Sequence, residues 1–228
     1  MTIHATDIAR TIDHTLLAPE ATPERVTQLC REAHEHGFYS VCIAPVFVGL
    51  AGKELAGSSV QVCTVVGFPT GMSEPEVKAY ETGLALRRGA DEVDMVMNIG
   101  AARAGDWQQV RLDIAQVVAR AEDRPVKVIL ETCLLTDEEK QQACKVCVAA
   151  GAAFVKTSTG FSHGGATEAD VRLMRAAVGP DLGVKASGGI RDYATACRML
   201  EAGATRLGTS SGLKIVAGER DLSAADAY

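Results

Sequence analysis

The sequence predicts an α/β fold, a single (β/α)8 barrel in which eight parallel strands close inside a ring of helices. Eight short, mostly apolar runs alternate with amphipathic helical patterns along the 228 residues, and no low-complexity linker divides the chain. Only 4% of the residues are aromatic, which suits a tightly packed α/β enzyme better than a β-sandwich. Strict alternation implies a parallel sheet, and eight repeats favour a closed barrel. An open doubly wound sheet is the alternative, although its usual GxGxxG turn after a first strand is absent.

Each predicted strand is a run of apolar, often β-branched residues between turn residues. The eight runs are Ile12–Leu17, Tyr39–Ala44, Val60–Phe68, Glu92–Met97, Val126–Glu131, Ala153–Ser158, Gly183–Ser187 and Thr205–Thr209. The helical patterns cover Pro23–His36, Pro45–Leu55, Glu74–Arg88, Asp106–Ala121, Asp137–Ala150, Thr167–Ala177 and Asp192–Ala202, and a short last helix is expected after Ser211. We therefore expect one barrel domain over residues 1–217, followed by a flexible, polar C-terminal tail over residues 218–228.

Composition and charge exclude several kinds of partner. The net charge is −6 and no cluster of Lys and Arg stands out, so neither nucleic acid nor a membrane surface is expected as a partner. The seven Cys residues mostly lie in apolar runs, which favours reduced thiols in a cytoplasmic protein. Cys144 and Cys147 have CxxC spacing, but they fall within a predicted helix without a second pair. We expect neither a signal peptide nor a transmembrane helix, because no apolar stretch is long enough.

Three predicted strands carry charged residues where burial should be costly. Asp94, Lys156 and Lys185 each stand inside an apolar run. Burying an unpaired charge is unfavourable, so such residues are usually paired or functional. One interpretation is a structural salt-bridge network that fills the barrel. The other is catalysis, since a Lys amine attacks a carbonyl only when neutral, and burial beside a second cation favours the neutral form. A carboxylate within reach can then move protons between the intermediates.

Other charges on the strands have weaker implications. Lys127 and Glu131 share one face of the fifth predicted strand. We expect Glu131 near the mouth of the barrel as a supporting partner, and Lys127 in a stabilising ion pair at the barrel floor. Asp13 on the first strand is a candidate member of the same charged network. The five His residues offer no three-ligand constellation, so a zinc site is disfavoured, and neither a metal nor a cofactor is expected.

Two loops carry the features of a phosphate site. Gly188 and Gly189 follow the seventh strand, and their lack of side chains lets backbone N–H groups approach an anion near a helix N-terminus. Residues 208–211, Gly-Thr-Ser-Ser, have the same character after the eighth strand. Loops after strands seven and eight form the recurrent phosphate site of this fold. Both loops together therefore predict a phosphorylated ligand.

Several strings carry a specific resemblance to a known family. EVDMVMNIG at Glu92–Gly100, VKTSTGF at Val155–Phe161, VKASGGIR at Val184–Arg191 and RLGTSS at Arg206–Ser211 resemble the deoxyribose-phosphate aldolases, and the resemblance covers nearly the entire chain. It implies a class I aldolase that reversibly cleaves 2-deoxy-D-ribose 5-phosphate to D-glyceraldehyde 3-phosphate and acetaldehyde. The implied partners are small-molecule sugar phosphates and aldehydes. A homodimer is expected from the habits of the fold, not from any residue.

Residue roles follow from matching these strings. The resemblance implies that Lys156 forms the Schiff base, that Asp94 relays protons, and that Lys185 is the cation that favours the neutral form of Lys156. The matching substrate-binding and phosphate-binding positions are Asp13, Thr15, Leu17, Thr159, Gly160, Gly188, Gly189, Arg191, Gly208, Ser210 and Ser211. Cys42 matches a strand cysteine at the edge of the pocket.

Two positions bear on how closely the family pattern applies. In some members a Lys follows the TSTG turn and helps to hold phosphate, whereas this chain has Phe161. Phosphate preference is then either weaker or carried by Arg191 and the helix ends alone. Tyr228 matches a terminal residue that folds into the site for proton exchange, with a frayed terminus as the alternative. Two rival functions stay open: another Schiff-base barrel enzyme with a dihydroxyacetone or pyruvate donor, and a non-catalytic sugar-phosphate sensor.

Overall fold

The computed structural model describes residues 4–225 and confirms the closed barrel. Eight parallel strands pair in chain order, and the last pairs with the first to close the sheet. They are β1 (Ile12–Leu16), β2 (Ser40–Ile43), β3 (Gln61–Val66), β4 (Glu92–Val96), β5 (Val126–Ile129), β6 (Phe154–Lys156), β7 (Gly183–Ser187) and β8 (Arg206–Thr209). Every predicted run therefore contains a strand, and the open doubly wound sheet is wrong for this chain.

Helices connect the strands on the outside of the barrel. In the part of the chain that the structure describes they are α1 (Ala5–Ala9), α2 (Pro23–His36), α3 (Val48–Glu54), α4 (Pro75–Arg87), α5 (Ile99–Arg103), α6 (Trp107–Ala121), α7 (Asp137–Ala149), α8 (Glu168–Val178), α9 (Tyr193–Glu201) and α10 (Gly212–Ala225). Each predicted helical range overlaps one of them, and α8 extends one residue past its predicted range. The sequence pattern does not predict α1 and α5, because five residues are too few to show a helical period.

Side-chain caps explain where several helices begin. Thr22 accepts a hydrogen bond from the backbone N–H of Arg25 at the start of α2. Thr136 and Glu139 form a reciprocal capping box at the start of α7. Each cap satisfies backbone N–H groups that have no partner within the helix, which contributes about 1 kcal/mol. At the other end of α2, Gly37 adopts φ 64°, a left-handed conformation that ends the helix before β2.

Strand side chains alternate between two environments. On β4, Val93 and Met95 are fully buried in the apolar core between strands and helices. Asp94 stands between them and faces the barrel interior, because successive side chains of a strand point to opposite faces. In register, Asp94 pairs with Lys127 of β5, and Lys156 of β6 pairs with Lys185 of β7. The closed sheet therefore gathers the strand charges at similar heights inside the barrel.

The C-terminal part of the chain is helical beyond the expected domain boundary. Helix α10 continues to Ala225, past the boundary expected at residue 217. Tyr228 lies outside the described residues, so its role in proton exchange stays a prediction. Cys144 and Cys147 lie buried within α7, and burial raises the pKa of Cys144 to about 12. Among the described helices, none is both long enough and apolar enough to cross a membrane.

Candidate active site

Lys156 is the last residue of β6, and it combines burial with access to a cavity. Its side chain is 4% exposed, and it lines an open cavity of about 570 Å³. Its Nζ donates a hydrogen bond of 2.7 Å to Oδ2 of Asp94. Catalytic groups of (β/α)8 barrels stand at the carboxyl ends of the strands, which is where Lys156 lies. The arrangement gives a small molecule in the cavity access to an amine that is held by a carboxylate.

Asp94 joins Lys156 to a larger ion-pair network inside the barrel. Its Oδ2 also accepts a hydrogen bond of 2.8 Å from Lys185, and its Oδ1 accepts one of 2.9 Å from Lys127. Burial alone would raise the pKa of Asp94, but the three lysine charges outweigh it and hold that pKa well below its usual range. As far as the described residues show it, the ion-pair network consists of Asp13, Glu92, Asp94, Lys127, Lys156, Lys185 and Arg206.

Lys185 lies fully buried on β7 and contacts two carboxylates. Its Nζ donates hydrogen bonds to Asp13 and to Asp94. Burial would lower the pKa of Lys185, but the charges of Asp13 and Asp94 raise it above its ordinary value. Lys185 is therefore a fixed cation beside Lys156, although the two carboxylates neutralise much of its field. The structure also places Asp13 within the network, as expected from the sequence.

A floor layer of charges lies beneath Asp94, toward the amino ends of the strands. Arg206 donates hydrogen bonds to Asp13 at 2.9 Å and to Glu92 at 3.0 Å. Lys127 lies 2.7 Å from the same oxygen of Glu92. The ion pair expected for Lys127 at the barrel floor is thus present. Because Lys127 also reaches Asp94, the floor layer and the site around Lys156 form one continuous network.

Sequence reasoning missed Glu92 and Arg206 as members of this network. Each is the first residue of its strand, where a charged side chain ordinarily faces solvent. Their positions on the strands carry a signal for both. Glu92 stands two residues before Asp94, so the two side chains share a face of β4. Arg206 of β8 pairs in register with Lys185 of β7. Arg206 is also covered by an aromatic ring, since its guanidinium carbon lies 3.4 Å from the ring centroid of Tyr39.

The cavity brings together most of the predicted binding positions. Its lining includes Thr15, Leu17, Lys156, Thr159, Gly160, Gly188, Gly189, Arg191, Gly208 and Ser210. Of the other predicted positions, Asp13, Asp94 and Lys185 lie buried in the network, away from the cavity lining. Ser211 follows Ser210 directly, and its N–H donates a hydrogen bond of 2.9 Å to Thr209 just before α10. Residues from four different strand ends therefore face one small-molecule site.

The cavity wall also carries groups that attract an anion. Arg25 and Arg191 both line it, and sequence reasoning missed Arg25 because an Arg in the first turn of α2 resembles an ordinary surface residue. Ser210 and Ser211 precede α10, whose N-terminus presents a positive dipole end to an anion. Helix α9 contributes less, because it begins only at Tyr193 and its cap position is filled by the carboxylate of Asp192.

Two glycines are required by the local geometry of the site. Gly188 has φ 84°, and a Cβ there would lie 3.0 Å from Cα of Gly165. Gly208 has ordinary backbone angles, but a Cβ there would lie 2.9 Å from Cβ of Ser187 and 3.0 Å from Cε of Lys185. Side chains at these two positions would therefore displace the loop after β7 and the buried lysine, respectively.

Glu131 and Phe161 shape the loop that follows β6. Glu131 accepts hydrogen bonds from both the N–H and the hydroxyl of Thr159, which agrees with its expected supporting position near the mouth. Glu131 holds an unfavourable φ of 56°, so this contact is maintained against backbone strain. Phe161 is 51% exposed, and its ring packs edge-on against Phe68 at 5.2 Å. The rim of the cavity is thus apolar at the position of Phe161.

Two sets of side chains in the described residues have the spacing of metal ligands. They are Cys42, Cys63 and Asp94, and Asp13, Cys63 and Glu92. All three carboxylates already accept hydrogen bonds or ion pairs from lysine or arginine side chains. These cations occupy the space next to the oxygens that a metal ion would need. The donor sets therefore fit an ion-pair network better than a metal centre.

Comparison with known proteins places the chain in a family. Residues 8–218 match the model of the DeoC/LacD family aldolases. The chain belongs to this family. It is 60% identical over 209 residues to the deoxyribose-phosphate aldolase of Brevibacillus brevis, covering 92% of this chain and 95% of that protein. It is 58% identical over 208 residues to the deoxyribose-phosphate aldolase of Streptococcus gordonii, covering 91% and 94%.

A solved structure within the DeoC/LacD family has the same barrel. The deoxyribose phosphate aldolase of Aeropyrum pernix, described as a tetramer, superposes with a TM-score of 0.88 at 37% identity, covering 96% of this chain and 93% of that one. The resemblance drawn from the sequence strings is thereby confirmed. The chain is an aldolase, and so a lyase.

Proposed function

We propose that this protein is a deoxyribose-phosphate aldolase that reversibly cleaves 2-deoxy-D-ribose 5-phosphate through an imine on Lys156. The observation that carries the proposal is the position of Lys156, whose Nζ lies 2.7 Å from Asp94 at the edge of a cavity of about 570 Å³. Lys127 and Lys185 are fully buried and do not line the cavity. Among these three network lysines, a substrate carbonyl can reach Lys156 alone.

The reaction starts at the aldehyde carbon of the open-chain sugar. The neutral amine of Lys156 attacks C1, and loss of water gives an iminium ion. Because acetaldehyde contains two carbons, the bond that breaks is C2–C3. A base removes the proton from the C3 hydroxyl, the C2–C3 electron pair moves into the iminium, and glyceraldehyde 3-phosphate leaves. The remaining enamine is protonated at C2, and hydrolysis of the resulting imine releases acetaldehyde and frees Lys156.

Asp94 provides a proton path for these steps, and Lys185 contacts it as a fixed cation. Oδ2 of Asp94 accepts hydrogen bonds from Lys156 at 2.7 Å and from Lys185 at 2.8 Å. One oxygen therefore connects the two nitrogens: Lys185 stays protonated, and the carboxylate accepts the proton that Lys156 releases and returns it to the intermediates. An ordered water in the cavity would extend this path to the C3 hydroxyl and to C2. Positioned groups of this kind contribute roughly 10²- to 10⁴-fold to the rate.

The phosphate end of the substrate fits the groups of the cavity lining that attract an anion. Gly188 and Gly189 leave backbone N–H groups accessible, Ser210 and Ser211 precede the N-terminus of α10, and Arg191 adds a positive charge. Phe161 supplies no charge, so we propose that these groups hold the phosphate without a lysine from the loop after β6.

Borohydride trapping tests the proposal directly. The protein is incubated with acetaldehyde, reduced, digested and mapped by mass, and the expected product carries an ethyl group on Lys156. The Lys156→Ala variant should yield no adduct, and Lys53→Ala, which removes an exposed lysine of α3, should label as the wild type does. An adduct with pyruvate or dihydroxyacetone in place of acetaldehyde would indicate another Schiff-base enzyme. Binding of the sugar phosphate without any adduct or turnover would indicate a sensor.

We also propose a homodimer and a cytoplasmic location. Val77 and Tyr80 stand three residues apart on α4 and are 48% and 67% exposed, which leaves apolar surface for a second subunit. The buried, unpaired cysteines are compatible with a reducing compartment. Light scattering during size-exclusion chromatography measures the assembly, and a monomer or a tetramer would contradict the homodimer.

A further inference from the structure

We infer that Glu92 and Arg206 are positioning residues for Lys156. They set the charge balance of the ion-pair network so that Lys156 is the member that gives up a proton. The inference rests on the proposed imine chemistry of Lys156. Neither residue lines the cavity, and Asp94, Asp13 and Lys127 lie between them and Lys156. Any influence they have on the reaction therefore passes through the charges of the network and not through contact with substrate.

The charges of the described network do not cancel when every group is ionised. Four basic side chains face three carboxylates, which leaves one positive charge in excess. An uncompensated charge inside the barrel is unfavourable because the interior screens it poorly. The network becomes neutral when one basic group loses its proton. Its composition therefore favours a state in which one amine is unprotonated.

The contacts determine which amine that is. Lys127 contacts Glu92 and Asp94 and lies 3.9 Å from Asp13, Lys185 contacts Asp13 and Asp94, and Arg206 contacts Asp13 and Glu92. Lys156 contacts Asp94 alone among the carboxylates of the described network. A cation with one carboxylate partner is less stabilised than a cation with two. The proton in excess is therefore the one on Lys156.

The ionisation of the other members supports this assignment. Burial opposes the charges of Lys127, Lys185 and Arg206, but the surrounding carboxylates outweigh it and raise the pKa of all three groups. Burial likewise opposes the charge of Asp13, and the neighbouring cations lower its pKa below its usual range. These groups therefore stay ionised.

Arg206 suits the floor layer because a guanidinium does not release its proton. A fourth lysine at this position would compete with Lys156 as the group that becomes neutral. The guanidinium is also fixed in place, with its carbon 3.4 Å from the ring centroid of Tyr39 and 5.2 Å from that of Phe154. Glu92 forms ion pairs with both Arg206 and Lys127. It is therefore the third carboxylate, beside Asp13 and Asp94, that balances three of the four basic groups.

Other titratable groups surround the network and need to stay constant in any test. Cys63 lies 3.2 Å from Asp94, and burial raises its pKa well above the ordinary value, so it is a neutral thiol. The other groups near Lys156 or its cavity, among the residues that the structure describes, include Cys42, Glu131, Glu20, Arg25 and Arg191. Variants confined to Glu92 and Arg206 leave all of these unchanged.

The test compares three variants by the pH dependence of kcat/KM for 2-deoxy-D-ribose 5-phosphate. Glu92→Gln removes a negative charge, which disfavours protonated Lys156, so the acidic limb of the profile should move to lower pH by about one unit. Arg206→Met removes a positive charge, and the acidic limb should move to higher pH by about one unit. The double variant restores the balance, and its limb should return close to that of the wild type. Titration of the substrate phosphate is common to all profiles and cancels.

Several outcomes would overturn the inference. Equal losses of activity at every pH, with the acidic limb in place, would mean that Glu92 and Arg206 act on folding alone. Shifts in the same direction for both single variants would contradict the charge balance. Glu92→Gln is nearly isosteric, so it decides the sign even when melting shows that Arg206→Met does not fold. Trapping of acetaldehyde on wild-type Lys156 is measured alongside: its absence would refute the proposed function, whereas trapping without opposite limb shifts would refute this inference only.

Discussion

Replacement of Asp94 by Asn separates the two roles of this carboxylate. The substitution keeps the shape of the side chain but removes the negative charge that three lysines contact at 2.7, 2.8 and 2.9 Å. Breaking a buried ion pair by removing one partner costs about 3–5 kcal/mol. For a chain of this size 1 kcal/mol corresponds to roughly 2–4 °C, so we expect the melting temperature to fall by about 10 °C. Loss of the proton path should reduce kcat by about 10²- to 10⁴-fold.

A matched variant distinguishes stability from chemistry. Asp113 is equally buried and contacts Lys78 at 2.7 Å, but it lies between α4 and α6, outside the barrel interior. Asp113→Asn should therefore lower the melting temperature while most of kcat remains. Thermal melting by circular dichroism and turnover of the sugar phosphate at saturating concentration measure both quantities. A change in melting temperature of less than about 2 °C for Asp94→Asn, or losses of kcat that are equal in the two variants, would refute the reasoning.

Three further predictions concern the surroundings of Lys156. Gly208→Ala places a Cβ 3.0 Å from Cε of Lys185, so kcat/KM should fall about tenfold with a small change in melting temperature. An unchanged rate would show that the Lys185 side chain adjusts freely. Phe161→Lys adds a cation at the cavity rim and should lower KM for the phosphorylated sugar but not for 2-deoxyribose. Equal changes in KM for the two sugars would contradict a contact between this lysine and the phosphate. Because the folded-state pKa values of Asp13 and Asp94 are depressed, their contribution to stability is complete above pH ~4–5 and is lost as pH falls below that range. Melting temperatures measured from neutral to acidic pH should fall more steeply for the wild type than for Asp94→Asn.

The fold could be predicted because its signals are local and repeated. Each strand is marked by an apolar run, such as the one around Asp94. The spacing of Thr136 and Glu139 is a sequence signal for the start of a helix. Eight repeats then leave few topologies other than a closed barrel. The end of the barrel was less predictable. Residues 218–225 are polar enough to suggest a tail, yet the backbone there continues the helix that begins at Gly212.

The upper part of the site could be predicted, whereas the floor layer could not. Lys156 and Lys185 stand inside apolar runs, where a charge is conspicuous, and their strands are adjacent in the barrel. Glu92 and Arg206 stand at strand starts, more than a hundred residues apart in sequence, and meet only because the sheet closes. Arg25 was missed for a different reason, since only the fold of the first βα loop brings an exposed helical Arg to the cavity.

Stability alone does not account for a network of charges at this place. Barrel interiors are usually filled by apolar layers, and replacement of a buried ion pair by apolar residues is often neutral or stabilising by ~1–4 kcal/mol. Apolar side chains in place of Glu92 and Arg206 could therefore preserve the fold. They would leave two carboxylates, Asp13 and Asp94, opposite three lysines, which is again one positive charge in excess, as in the native network. What such a replacement would lose is the 2.7 Å contact of Lys127 with Glu92, which would leave Lys127 with Asp94 at 2.9 Å and Asp13 at 3.9 Å, while Lys156 keeps Asp94 alone. The floor layer thus widens the difference in carboxylate contacts between Lys127 and Lys156, which favours loss of the proton from Lys156.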